Sequence, residues 1–280
     1  MRLLLNTIML EVNRWSPDHQ LSQPLSQLLP AVSRAGFDQL ELWQYHISTL
    51  DQGQSEDLAH QLRTHGLRTP ALGAYPSFHL EGAEDEQMQA QLDRVVATAQ
   101  VLGVEIFKIF PGRLASAEAD AAQWARSVRR IGHLAQQLER HGMRLTMETH
   151  GNTLCDSLAS TQRLLGELQG GQHIGLCFQP YTAHDTDQAL ATFDALAPAI
   201  HHIHLQNRRL QDRSTTRLAD GDWTDYRRFL PHVKASGFDG LLCLEFTAGL
   251  FPPEGQPFDP QTVLDHAVHD RRFVEATWDL

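Results

Sequence analysis

The residues of this chain best suited to chemistry begin in the stretch 144–156, R-L-T-M-E-T-H-G-N-T-L-C-D. Leu145 and Met147 alternate with Thr146 and Glu148, a strand pattern that runs into a polar loop of Gly, Asn and Thr. A carboxylate closes the strand, and an imidazole, His150, stands two residues beyond it. Burying Glu148 without a partner would cost several kcal/mol, so a divalent cation or a basic side chain must hold the charge. Other apolar runs end in the same way, at Asn6, Glu41 with His46, Lys108, Gln179, His204 with Gln206, and Glu245. Carboxylates, imidazoles and amides gathered at one place can ligate a divalent ion and move protons next to a carbonyl. A satisfied polar cluster would draw on the same residue types, but the number of run ends involved favours a metal site.

The elements that must position these residues recur with one rhythm. Short apolar runs at 3–5, 38–43, 69–74, 105–110, 174–178, 200–205 and 241–245, with the strand that opens 144–156, read as eight strands. Helical patterns fall between and after them, at 26–35, 55–65, 84–102, 117–141, from Ser157 to Gly170-Gly171, and at 187–197, 223–236 and 262–275. Glycine stops follow at Gly36, Gly66, Gly103, Gly142, Gly170 and Gly237. Strand-then-helix repetition means parallel pairing with right-handed crossovers, and eight units in about 250 residues predict an α/β (β/α)8 TIM barrel. A doubly wound open sheet is the alternative, but neither G-x-G-x-x-G nor G-K-[ST] occurs. No linker divides the chain, so residues 1–280 read as one barrel domain. Active sites of such barrels sit at the C-terminal strand ends, where these polar residues fall. If Glu245 points inward, so does Cys243, while Leu242 and Leu244 face the helices. Glu41, Lys108 and Glu148 fit the same parity.

Composition sets the frame. The 280 residues are 41% hydrophobic and 20% charged, with a net charge of −11. An acidic chain does not track phosphates, so nucleic acid is not an expected partner. No run of about 18 apolar residues suggests a membrane span. The N-terminus lacks signal-peptide order, and Cys155, Cys177 and Cys243 are an odd, widely spaced set without C-x-x-C. These features predict a cytoplasmic protein without a structural zinc knuckle.

The motifs also resemble a family. G-F-D-Q-L-E-L-W-Q-Y-H, L-G-V-E-I-F-K-I-F-P-G, M-E-T-H-G-N-T-L-C-D-S, H-H-I-H-L-Q-N, G-D-W-T-D-Y and G-F-D-G-L-L-C-L-E span nearly the whole chain. Together they are similar to the xylose isomerase-like barrel superfamily of sugar isomerases and epimerases, which also holds the endonuclease IV enzymes. The branch they resemble most is the bacterial 3-dehydroshikimate dehydratase type, which shares E-L-W-x-x-H and E-T-H-x-N-T-L-x-D elements. In such enzymes a Glu, an Asp, a His and a Glu at the ends of strands five to eight hold one divalent ion. The resemblance carries these roles to Glu148, Gln179, His204 and Glu245, and casts His150 as an acid/base or substrate-binding group. Two departures stand out. Gln179 replaces the Asp and brings no charge, and Gln206 replaces the basic residue that follows the strand-seven His. The branch's strand-four Arg aligns with Lys108.

The expected activity is that of a divalent-metal-dependent isomerase, epimerase or related lyase. It would abstract a proton next to the carbonyl of a small polyhydroxylated substrate such as a sugar or cyclitol. Glu148 and Glu245 form the expected proton-transfer pair, with His150 as an alternative acid. Lys108, Glu41, His46 and Gln206 are the expected substrate-binding or pocket-shaping residues, and the cofactor is one Mn, Mg, Zn or Co ion. Arg208 is expected to be a surface or structural charge, and Trp43 a packing wall. A dehydratase-like lyase and a ligand-binding barrel that has lost catalysis are the alternatives. An endonuclease-like phosphodiesterase would need more His and Asp ligands and a basic groove. A homo-oligomer is compatible with this reading.

Overall fold

The structure is a computed structural model that describes residues 1–168 and 173–279. Eight parallel strands close into a barrel: β1 (Arg2–Asn6), β2 (Gln39–Trp43), β3 (Arg68–Ala74), β4 (Ile106–Ile109), β5 (Arg144–Glu148), β6 (Ile174–Phe178), β7 (Ile200–Leu205) and β8 (Leu241–Leu244). Each pairs with its neighbours in sequence, and β8 closes onto β1 with Leu4 opposite Cys243. Eight helices follow the strands: α1 (Leu25–Arg34), α2 (Gln52–Thr64), α3 (Gly82–Val101), α4 (Ala121–Arg140), α5 (Leu158–Glu167), α6 (Thr186–Leu196), α7 (Tyr226–Ala235) and α8 (Pro260–Trp278). The expected (β/α)8 TIM barrel is therefore the observed fold. None of the described helices is long and apolar enough to cross a membrane.

Capping residues, more than apolar periodicity, decide where the helices begin. Asp51 and Asp120 each accept the backbone N–H of the third helical residue, and Gln54 and Gln123 bond back to complete two capping boxes. So α2 starts earlier than its apolar pattern suggests and α4 starts later. Asp225 and Asp259 likewise set the starts of α7 and α8, and Ser157 caps α5 as expected. The Gly170-Gly171 stop expected for α5 lies outside the described residues. Between β7 and β8 the chain adds a feature the apolar pattern does not announce, a short antiparallel ribbon of Asn207–Arg208 with Thr215–Thr216. Asn207 holds it with two 2.9 Å bonds from its amide nitrogen to the carbonyls of Leu218 and Thr224.

Strand parity divides the side chains as the two-residue period requires. Leu242 and Leu244 join the large apolar layer between strands and helices. Cys243 instead packs inside the barrel with Leu4, Ala71, Ile106 and Leu241. The register sets the next inward residues at similar heights: Cys243 opposite His204, Glu148 opposite Cys177, Cys177 opposite His202, and Lys108 between Gly73 and Thr146. The barrel is thus plugged by apolar residues below and by a buried polar layer toward the C-terminal strand ends.

Candidate active site

Each polar residue of this layer is delivered by an inward position near the C-terminal end of a strand or by the residue just past it. Glu41, Lys108, Glu148 and His204 lie on β2, β4, β5 and β7, and Gln179 and Glu245 directly follow β6 and β8. The Glu245 N–H still reaches the Leu205 carbonyl at 3.1 Å, so its position is fixed by one further ladder bond. Gln179 is fixed on its own backbone, donating its N–H to Thr149 Oγ1 at 2.9 Å and accepting from the Thr182 hydroxyl at 2.7 Å.

Three of the expected residues converge on one atom of a fourth. The Gln179 amide nitrogen lies 2.8 Å from Glu148 Oε1, 2.7 Å from Glu245 Oε2 and 3.1 Å from His204 Nδ1. His204 Nδ1 is also 3.2 Å from Glu245 Oε1. The nitrogen of the amide, and not the oxygen expected at a metal, faces this cluster. Gln206 donates to Glu245 Oε2 at 2.7 Å and sits 3.4 Å from Gln179 Oε1.

A second tier lies beneath. Glu41 Oε2 is 2.7 Å from His204 Nε2 and 3.1 Å from His202 Nε2. Lys108 Nζ reaches Glu148 Oε2 at 2.5 Å and Glu41 Oε1 at 3.9 Å. Its ammonium also lies over the Tyr75 ring, 4.6 Å from the centroid. Gly73 makes room for this side chain: a Cβ there would stand 2.8 Å from Lys108 Cε and 3.0 Å from Glu41 Oε1. Two groups of side chains bring potential ligand atoms within 4.8 Å of one another, Glu41 with His202, His204 and Cys243, and Glu148 with Cys177 and His204.

The charges are strongly coupled. Burial would raise the Glu41 carboxyl, but the His204 and His202 imidazoles overcome it and hold Glu41 well below the carboxylate range. Burial would discharge Lys108, yet Glu148, Tyr75 and Glu41 keep it well above its ordinary value. Burial likewise opposes charge on His204, and Cys177, Glu41, Glu245 and Glu148 raise it well above the usual imidazole range. His202 is raised to about 9 by Cys177 and Glu41 against the same penalty. For Glu245, burial is outweighed by His204, with Lys108 and Gln179 adding to the downward shift.

Above this floor opens a cavity of about 730 Å³, whose wall includes Glu245, Gln206, Arg208, His150, Tyr75 and Tyr181. His150 is set in a defined orientation. Its Nδ1 lies 2.8 Å from the Gly151 carbonyl and its Nε2 2.9 Å from the Tyr181 hydroxyl, while Phe110 stacks on the ring at 4.6 Å. The carbonyl can only accept, so Nδ1 carries the proton and Nε2 faces the phenol. Trp43 is 2% exposed and forms part of the wall. Arg208 packs over Tyr181 at 5.0 Å and donates to Gln206 Oε1 at 3.2 Å, so it lines the cavity although the sequence suggested a plain surface or structural charge.

Not every expected residue joins this site. His46 turns away behind Trp43, 3.4 Å from the Thr7 carbonyl, and lines a separate cavity beside α2. Burial drives its pKa down to about 4, so it serves as a neutral packing group. Glu41 lies beneath His204 and not in the cavity wall, which places it to orient the imidazole. Conversely, His202, Cys177, Tyr75, Tyr181 and Arg113 belong to the site or its wall without having been singled out. His202 was recoverable, since it shares strand parity with His204 in H-H-I-H. Tyr181 lies in a single 3-10 turn and Arg113 in a loop, and no apolar periodicity operates in either.

Comparison with known proteins agrees with this architecture. The family model "Xylose isomerase-like TIM barrel" matches residues 29–265. A 3-dehydroshikimate dehydratase of Bacillus anthracis is 28% identical over 193 residues, 68% of each chain. Among solved structures, a probable 3-DHS dehydratase involved in petrobactin synthesis from Bacillus anthracis superposes with a TM-score of 0.76 at 20% identity, over 98% of this chain and 99% of the other. A D-psicose 3-epimerase crystallised in the presence of D-fructose gives 0.76 at 14% identity, over 99% of each chain. A barrel protein from Mycobacterium smegmatis in complex with magnesium gives 0.74 at 15%, over 99% of this chain and 96% of the other. Dehydratases and epimerases thus stand among its relatives, and the chain belongs to the xylose isomerase-like TIM barrel family.

Proposed function

We propose that this protein is a divalent-metal-dependent enzyme that abstracts a proton next to the carbonyl of a small polyhydroxylated substrate, as an isomerase, epimerase or related lyase. One observation carries the reading: two carboxylates and an imidazole nitrogen, from Glu148, Glu245 and His204, meet around the Gln179 amide at the cavity floor.

The donor set and its charge fit a divalent ion. Three buried carboxylates, Glu41, Glu148 and Glu245, stand against one ammonium, Lys108, in one connected cluster. The balance is two negative charges, which either a divalent cation or protons on His202 and His204 would neutralise. Glu148, His204, Glu245 and, with its amide turned over, Gln179 would hold the cation. Bound there, it supplies Lewis-acid polarisation of a substrate carbonyl.

The chain's own groups do the rest. Glu245 forms part of the cavity wall and is placed to take a proton from the carbon beside the carbonyl. Glu148 lies deeper and completely buried, held by Lys108, and is the partner carboxylate of the proton-transfer pair. His150, with Nε2 at the Tyr181 hydroxyl, is placed to bind a substrate hydroxyl or deliver a proton. Glu41 holds His204 upright from below through Nε2. Returning the proton to the neighbouring carbon isomerises, returning it to the opposite face epimerises, and loss of a β-hydroxyl dehydrates.

A dehydratase-like lyase is the second reading, and a specific feature favours it. Arg113 and Arg208 both line the cavity and suit a substrate that carries a carboxylate. Solvent-deuterium incorporation into a panel of ketoses, inososes and 3-dehydroshikimate, with Mn²⁺, Mg²⁺, Zn²⁺ or Co²⁺ supplied, tests both. Exchange or turnover that is lost in Glu245→Gln and Glu148→Gln is expected. Neither binding of any ion nor exchange in any substrate would defeat the proposal and leave a ligand-binding barrel.

A further inference from the structure

We infer that Gln206 controls how readily the carboxylate floor takes a cation, by locking the Gln179 amide with its nitrogen inward. This rests on the proposal that the floor accepts a divalent ion, and it names a residue whose part in that step the metal-ligand motif does not contain.

The argument begins with hydrogen-bond capacity. The Gln179 amide nitrogen has two hydrogens, and the carboxylate oxygens of Glu148 and Glu245 stand 2.8 and 2.7 Å away to receive them. Both amide hydrogens are thereby engaged by the carboxylates a cation would need. An amide ligates through its oxygen, so Gln179 must make a half-turn of its terminal group before it can serve. That half-turn brings the NH2 group to where Oε1 now lies, 3.4 Å from the Gln206 amide nitrogen. Two donors then face each other in a place where both residues are 1% exposed.

Gln206 cannot readily turn to relieve the conflict. Its amide nitrogen donates to Glu245 Oε2 at 2.7 Å, and its oxygen accepts from Arg208 Nη2 at 3.2 Å. Reversing it would set the oxygen against a carboxylate and the nitrogen against a guanidinium. Nor can the Gln179 backbone shift, tied as it is to Thr149 and Thr182. The amide pair therefore moves together or not at all, and Gln206 holds the pair in the orientation that excludes the ion.

The test is a double-mutant cycle read by calorimetric titration with Mn²⁺, on folded protein checked by thermal melting. Gln206→Met keeps side-chain length and removes the opposing donor. It should tighten Mn²⁺ by about tenfold in the natural Gln179 background, the worth of one buried hydrogen-bond conflict. In a Gln179→Asp background there is no amide to turn, and the same substitution should change affinity by less than about twofold. Gln206→Leu should reproduce the pattern. Equal tightening in both backgrounds would mean that Gln206 acts on Glu245 directly, and would overturn the lock. If Gln179→Asp binds Mn²⁺ and Gln206→Met leaves the affinity of the natural background unchanged or weaker, the lock also fails while the cation proposal stands. If none of the proteins binds Mn²⁺, the cation proposal fails and the lock goes with it.

Discussion

Asp270 offers the sharpest test of how the cavity loops are held. It lies on α8, 1% exposed, accepting the Leu218 N–H at 2.7 Å and the Thr247 hydroxyl at 2.5 Å. Leu218 and Thr247 stand in the segments that follow β7 and β8, which also carry Arg208 and Phe246 at the cavity wall. Burial pushes the Asp270 pKa up from 3.8 to about 7, with the Thr247 and Leu218 bonds offsetting only part of the penalty. A carboxyl raised on folding contributes stability that is full below the unfolded pKa and is lost as pH rises through the folded one. Between about pH 4 and 7 the loss approaches 1.4 kcal/mol per pH unit. Asp270→Asn keeps an oxygen for Leu218 and a donor for Thr247 but has no proton to lose. Urea unfolding of both proteins from pH 5 to 8.5 is the assay, because every other titrating group cancels in the difference. The difference should shift by about 2–3 kcal/mol in favour of Asn across that range. Parallel curves would refute the argument, by showing that Asp270 is charged at little cost and needs no proton to tie the loops down.

Three further outcomes follow from the site. Gln179→Asp should tighten Mn²⁺ or Mg²⁺ in calorimetry by restoring a charged ligand, and unchanged affinity in a folded variant would remove Gln179 from the site. Lys108→Met should destabilise the fold by about 3–5 kcal/mol in urea, because it removes the ammonium paired with the buried Glu148 Oε2; added Mn²⁺ should recover part of that loss. His150→Ala should leave Mn²⁺ affinity unchanged and lower turnover about 10²–10⁴-fold, the range of an acid or base lost from its place. Loss of metal affinity with turnover per bound ion intact would contradict its placement beyond the metal ligands.

The alternation of short apolar runs with capped helices determines the barrel, and both are local patterns. That is why the architecture was legible in the sequence. The parity of Leu242, Cys243, Leu244 and Glu245 was legible for the same reason, since a strand has only two faces. His202 and Cys177 could have been placed by extending that argument one strand further. Helix starts at Gln52 and Ala121 depart from the apolar pattern because a capping box stops or extends a helix without regard to its apolar stripe. His46 could not be placed, because the turn after β2 decides on which side of Trp43 it falls. Arg113, Tyr181 and the ribbon at Asn207 lie in connecting segments whose courses depend on distant partners, and no spacing rule reaches them.

The two tiers of ligating side chains raise the question of where a cation would sit, and His204 answers it by tautomer. An ion that ligates His204 displaces one of its protons, which leaves the imidazole one N–H and one lone pair. Glu41 Oε2, at 2.7 Å, claims a proton on Nε2. The lone pair is then left on Nδ1, which points at Glu148, Gln179 and Glu245. An ion in the lower group of Glu41, His202, His204 and Cys243 would need the opposite tautomer, and would strip the upper carboxylates of the group that faces them. Charge limits the interior to one such ion. One divalent ion cancels the two surplus negative charges of the floor, whereas a second would leave the barrel interior positive even with Cys243 ionised. Glu41→Gln separates these roles. Its amide can offer Nε2 an acceptor without charge, so an upper site should persist with weaker Mn²⁺ binding, whereas a site that uses Glu41 as a ligand should lose the ion altogether.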